Sequence, residues 1–125
     1  MLPFFIWFAV TAGGALGGLA RFALTYIFPD HQWFGIFIAN LTGSFMMGLT
    51  VQAFNERINV SQTVKKGITV GFIGGFTTMS TFIADFFSLL TENSLLASLY
   101  LLLSVCGGIL FAWFGMRIMS KKVMQ

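Results

Sequence analysis

The chain has 125 residues, 57% hydrophobic and 9% charged, with 16 Phe, 14 Gly and a formal net charge of +3. A soluble domain carries about 25% charged residues, so this chain lacks the polar surface to hold a core in water, and its mean hydropathy of +0.87 puts it in the membrane class. One His, one Cys and no acidic cluster give metal catalysis no ligands, no phosphate-binding or dinucleotide fingerprint is present, and an enzyme is not expected.

A spanning helix needs about 20 mainly apolar residues, and segments 4–28, 33–54, 66–90 and 95–118 qualify. They predict an all-α, polytopic protein with residues 1–125 forming a single four-helix transmembrane domain. The first segment lacks the basic start of a cleaved signal peptide and its apolar run is too long for one, so a retained helix is expected. It carries Gly13-Gly14-Ala15-Leu16-Gly17-Gly18, two overlapping pairs of glycines four apart, which let a second backbone approach closely. Arg21 follows. A charge at mid-bilayer costs about 2.5–3.5 kcal/mol on insertion scales; Arg21 either snorkels to the headgroups or sits as a fixed charge at the mouth of an aqueous vestibule.

The second segment contains Ile38-Ala39-Asn40-Leu41-Thr42-Gly43-Ser44. The Asn40 carboxamide has donors and an acceptor that hydrocarbon cannot satisfy. It is either interhelical glue or a neutral N–H presented to an anion.

The third segment holds the strongest signal, Gly71 to Phe82, with three Gly and four hydroxyl residues in twelve positions. Glycine costs a helix about 1 kcal/mol and threonine is a mediocre helix former, so this stretch predicts a break at mid-membrane. Unwound backbone is tolerated there only inside protein or against a cavity, where its carbonyls can hold a cation and half-helix ends can polarise an anion. The alternative is a helix with a glycine packing face (Gly67, Gly71, Gly75) and hydroxyls bonded to carbonyls one turn back. Asp85 is the one acidic residue well inside a hydrophobic span, a functional suspect by default. In the fourth segment Tyr100 and Ser104, four apart, form a short polar track on one face. Cys106, the only cysteine, reads as a packing residue.

With four helices, both termini and the middle loop share one side. That side collects Arg57, Lys65, Lys66, Arg117, Lys121 and Lys122 against Arg21 alone, which places the termini in the cytoplasm. The charge therefore reads as topology and not as nucleic-acid binding.

The runs GGALGGLAR, ANLTGSFMMG and GFIGGFTTMSTF, in this order and over essentially the whole chain, resemble the Fluc (CrcB) family of microbial fluoride channels. The resemblance implies a fluoride-selective channel that exports the ion passively from the cell, protecting it from fluoride toxicity, and that resides in the inner or plasma membrane. It implies an antiparallel homodimer with two pores and a structural Na⁺ at its centre, held by the backbone carbonyls of Gly74 and Thr77 from each subunit. Asn40, Ser80 and Thr81 would line the fluoride path, Tyr100 and Ser104 would form its polar track, and Arg21 would be the vestibule arginine. The family places two Phe three apart on the third helix, whose positive ring edges can face an anion; here Met79 takes the first position and Phe82 the second. Asp85 stands where the family more often has Glu, and the six-to-one charge bias fits dual insertion poorly. The expected partners are fluoride, sodium, the lipid bilayer and a second copy of the chain. Two other classes are a proton-coupled small exporter, which needs a carboxylate absent from the first segment, and a non-transporting membrane subunit.

Overall fold

The computed structural model describes residues 2–120, so Lys121 and Lys122 of the basic side lie outside the described residues. All regular elements among the described residues are helical, and four of these helices have the length and hydropathy to cross a membrane. They are α1 (Leu2–Tyr26), α2 (Gln32–Glu56), α3 (Gln62–Glu92, interrupted once) and α4 (Ser94–Met119). The protein is a multi-pass membrane protein, with large apolar side chains such as Trp7, Phe22, Ile109 and Phe114 exposed along its outer faces.

The helices and the predicted hydrophobic segments share centres and differ at their ends. α1 stops at Tyr26, because a residue before proline is pushed out of helical conformation, and Ile27 and Phe28 close tight turns ahead of Pro29 instead. The other helices run past their apolar segments into polar residues, where caps become possible. The Ser61 hydroxyl accepts from the Val64 amide at 3.4 Å, and the Asn93 carbonyl oxygen Oδ1 accepts from the Leu96 amide at 3.0 Å. Hydropathy marks the hydrocarbon portion of a helix; its capped first turn lies beyond.

α3 is broken where the Gly- and Thr-rich stretch predicts. Its first half, α3a (residues 62–76), ends at Phe76, Thr77 adopts an extended backbone (φ −83°, ψ 156°), and α3b (Ser80–Glu92) resumes the helix. The other expectation for this stretch is also met in part. Thr69 and Thr77 donate to the carbonyls of Lys65 and Ile73, one turn back, at 2.8 and 3.0 Å. In addition, residues Gly67–Ile73 are wound as a π-helix, a wider form that usually appears only as single-turn bulges.

The break passes α3 from one neighbour to another. α3a packs along α1, α3b packs on α4, and α2 packs most extensively on α4. Glycines permit the two closest approaches. A Cβ on Gly17 would overlap the Phe72 carbonyl oxygen, and one on Gly48 the Ala112 carbonyl oxygen. Beyond the break, Ile36, Phe82, Leu89, Ala97 and Tyr100 form the buried cluster that joins α2, α3b and α4.

Candidate ion pathway at the helix break

An interrupted helix releases amides and carbonyls that must find partners elsewhere, and here side chains from α1 and α2 supply them. Asn40 of α2 meets Thr78 with both ends of its carboxamide: Nδ2 donates to the Thr78 carbonyl at 3.0 Å, and Oδ1 accepts from the Thr78 amide at 2.9 Å. Arg21 of α1 donates from a guanidinium nitrogen to the Thr77 carbonyl at 2.9 Å. That bond turns at least one end of the guanidinium toward the break in α3. The Thr78 hydroxyl accepts from the Thr81 amide at 3.3 Å and donates to the Thr81 hydroxyl at 3.2 Å, capping the start of α3b. In a continuous helix the Thr78 and Thr81 amides would serve the Gly74 and Thr77 carbonyls; both amides are engaged elsewhere.

The break faces a hollow of about 480 Å³ lined by Asn40, Ser44, Gly74, Thr77, Thr78 and Met79 among others. Gly74 is exposed in the single chain, and Met79 is 70% exposed. Arg21 borders a second, smaller hollow of about 200 Å³ with Thr25, Gln32, Thr81 and Asp85. α3b and α4 carry three further buried polar atoms, Asp85 Oδ2, Tyr100 Oη and Ser104 Oγ, of which the Asp85 carboxylate and the Tyr100 hydroxyl face each other. Buried polar atoms are nearly always paired with protein or water, and the Ser104 hydroxyl, next to the Asp85 and Tyr100 pair, has no protein partner.

A family model described as CrcB-like protein, Camphor Resistance (CrcB), matches residues 8–116. The chain belongs to the CrcB family. It is 42% identical to the fluoride-specific ion channel FluC 2 of Staphylococcus saprophyticus, over 87% of this chain and 92% of that one. It is also 42% identical to FluC 2 of Carboxydothermus hydrogenoformans, over 83% and 79%. To the fluoride-specific ion channel FluC of Pseudomonas fluorescens it is 36% identical, over 94% and 98%. Neither a proton-coupled exporter nor a non-transporting subunit finds support in these relationships.

The expected site residues of this CrcB chain are spread over the break, the buried cluster and the first turn of α3b, with Ser104 half-buried one turn past Tyr100 on α4. Arg21, Asn40, Gly74, Thr77 and Met79 gather around the break. Phe82 and Tyr100 lie together in the buried cluster, both 3% exposed, with ring centroids 5.1 Å apart. Ser80 and Thr81 are exposed at the first turn of α3b. Met79 and Phe82 are not neighbours in one pocket: the thioether lies on the open face and the ring inside. Two residues have roles that the reading of the sequence did not assign. Thr78 binds Asn40 and caps α3b, which its place in the Thr pair could have suggested. Gln32 joins the hollow of Arg21 from the start of α2, and a lone polar residue at a predicted helix edge carries no signal of that.

Proposed function

We propose that this CrcB chain is a fluoride channel that lets the ion leave the cell passively and so limits its accumulation. The buried hydroxyls of Tyr100 and Ser104, four apart on α4, carry the reading. Fluoride is small and strongly hydrated, so a narrow path must replace its water with donors. Hydroxyls of Tyr100 and Ser104 are neutral donors of that kind, and Ser80 and Thr81 offer two more at the start of α3b. Asn40 adds the second N–H of its carboxamide, which the Thr78 bonds leave uncommitted. Polarised groups and ring edges bind an anion without a full charge, weakly enough to release it.

The working unit in this reading is an antiparallel homodimer. Backbone released from a helix at membrane depth needs protein or water beside it, and the hollow holding Gly74, Thr77, Thr78 and Met79 is open on a single chain. A second, inverted copy would cover it and bring the two breaks together. The released Gly74 and Thr77 carbonyls would then supply four oxygens, a donor set suited to a hard cation. Sodium, when bound there, would balance the carbonyl dipoles and tie the subunits. The termini and the α2–α3 loop face the cytoplasm in one orientation, and the host membrane is the inner or plasma membrane.

Fluoride efflux from liposomes holding the purified protein, with chloride as the control ion, tests the function. Rapid fluoride loss with chloride retained is expected. Equal loss of both ions, or of neither, would end the proposal.

A further inference from the structure

We propose that Arg21 is the positioning residue of the α3 break: its guanidinium holds the Thr77 carbonyl to α1, and conduction depends on that clamp more than on the charge Arg21 lends to the vestibule. Thr77 is the residue at which the chain leaves the helix, with its backbone extended. Its carbonyl has lost the amide that would serve it in a continuous helix, because the Thr81 amide turns to the Thr78 hydroxyl. The oxygen therefore depends on a donor from outside α3, and Arg21, 56 positions away, provides it at 2.9 Å. Asn40 fixes the next residue, Thr78, from the opposite helix. Consecutive residues of the break are thus gripped from α1 and from α2.

Position and chemistry favour Arg for this task. Gly17, one turn before Arg21, sits with its backbone against Phe72, so α1 is locked to α3a at that level. Arginine then reaches forward from a fixed base. A planar guanidinium has five donors, so one can serve Thr77 while others face the hollow shared with Thr81 and Asp85. Lysine offers a compact, strongly hydrated ammonium on a shorter reach and is a poor replacement for a clamp, though an adequate one for a vestibule charge.

The two roles respond differently to salt and to substitution. A vestibule charge acts at a distance and is screened, the screening length falling to about 3 Å at 1 M. A direct bond to a carbonyl is not. Arg21→Gln and Arg21→Lys are compared with the unchanged protein by fluoride efflux at 50 mM and 1 M supporting salt (both about the extremes of screening), and by amide hydrogen exchange in bilayers. The clamp predicts at least a tenfold loss of flux in Arg21→Gln that persists at 1 M salt, a loss in Arg21→Lys as well, and faster exchange confined to residues 77–81. A magnetic-resonance contact between the Arg21 guanidinium nitrogens and the Thr77 carbonyl carbon, sought in the unchanged protein in bilayers, needs no variant to fold and should be present. Full flux in Arg21→Lys, a loss that disappears at 1 M salt, or absence of that contact would overturn the clamp. The flux arm rests on the channel reading. If the unchanged protein moved no fluoride while the contact and the local exchange effect were found, the channel reading would fail and the clamp would stand.

Discussion

Phe82 and Met79 stand three apart at the break of α3, where the resemblance to the family implies a pair of aromatic rings, and their environments set opposite expectations for mutation. Phe82 is 3% exposed and packs against Tyr100, so Phe82→Ile removes both a ring edge and a core contact. It should cost about 1–3 kcal/mol of stability and reduce fluoride flux at least tenfold, with the protein still folded by circular dichroism. Met79 is 70% exposed in the single chain. Met79→Phe should therefore change the stability of the subunit fold by no more than about 0.5 kcal/mol and leave selectivity intact, with flux kept or raised, in matched liposome assays. Flux in Phe82→Ile equal to that of the unchanged chain would remove the ring from the mechanism and leave the hydroxyls of Ser80 and Thr81 as the better donors. Asn40 is a third case, because its carboxamide answers two backbone groups of Thr78 at once. Asn40→Leu fills the space and orphans both, at about 1–3 kcal/mol for each unsatisfied group. Thermal unfolding in detergent should show that loss, with flux falling in parallel.

At the scale of helices, the contrast between neighbouring glycines gives the sharpest test. Gly17 has the Phe72 carbonyl where a Cβ would stand, whereas nothing lies within 4 Å of a Cβ on Gly18. Gly18→Ala should be neutral or slightly stabilising, since alanine is the better helix former. Gly17→Ala must push α1 away from α3a and should lower the unfolding midpoint, with protein recovered in detergent as the simplest readout. Both residues belong to the same motif, and nothing in their spacing says which one meets a partner. That gap has a physical origin. In a soluble helix the polar face marks the outside, but a helix in lipid is apolar all round, so hydropathy locates the four spans and the Gly/Thr run locates the break, while the direction each face points stays hidden. The burial of Phe82 and the exposure of Met79 were illegible for this reason. So was the π-helical stretch Gly67–Ile73, whose wider winding needs no residue type of its own. Intramembrane polarity was the legible part of the candidate site: Arg21, Asn40, Tyr100 and Ser104 stood out because each is costly in hydrocarbon, and the Gly/Thr run pointed to the stretch holding Thr77. Arg57 shows the limit of reading charge as topology alone. Its Nε donates to the Met119 carbonyl at 2.8 Å, tying the α2–α3 connection to the end of α4, where a cation also favours the helix dipole.

For the whole molecule, the question is what covers the open side of the break. A single chain leaves Gly74 exposed beside Thr77 and Thr78 in a hollow of about 480 Å³; Arg21 and Asn40 serve the Thr77 and Thr78 carbonyls, but hydrocarbon in that space would meet the backbone released at Gly74 without a polar partner, which is costly. In the proposed dimer a second copy would resolve the cost only if something positive met the Gly74 and Thr77 oxygens of both copies, because carbonyl dipoles aimed at one point repel. In that proposed dimer the cation and the interface depend on each other, and each should be lost with the other. Exhaustive replacement of sodium by a large organic cation is expected to abolish fluoride efflux, weaken the dimer in single-molecule subunit counting, and lower the unfolding midpoint. Restoring sodium should recover all three. Arg21 bears on the magnitude, since its guanidinium already engages the Thr77 oxygen at 2.9 Å and satisfies part of the need. Loss of sodium should then loosen the dimer without unfolding the subunit. Undiminished flux and unchanged dimer counts in sodium-free bilayers would show that Arg21 and the second copy suffice, and that the carbonyls of Gly74 and Thr77 hold no ion.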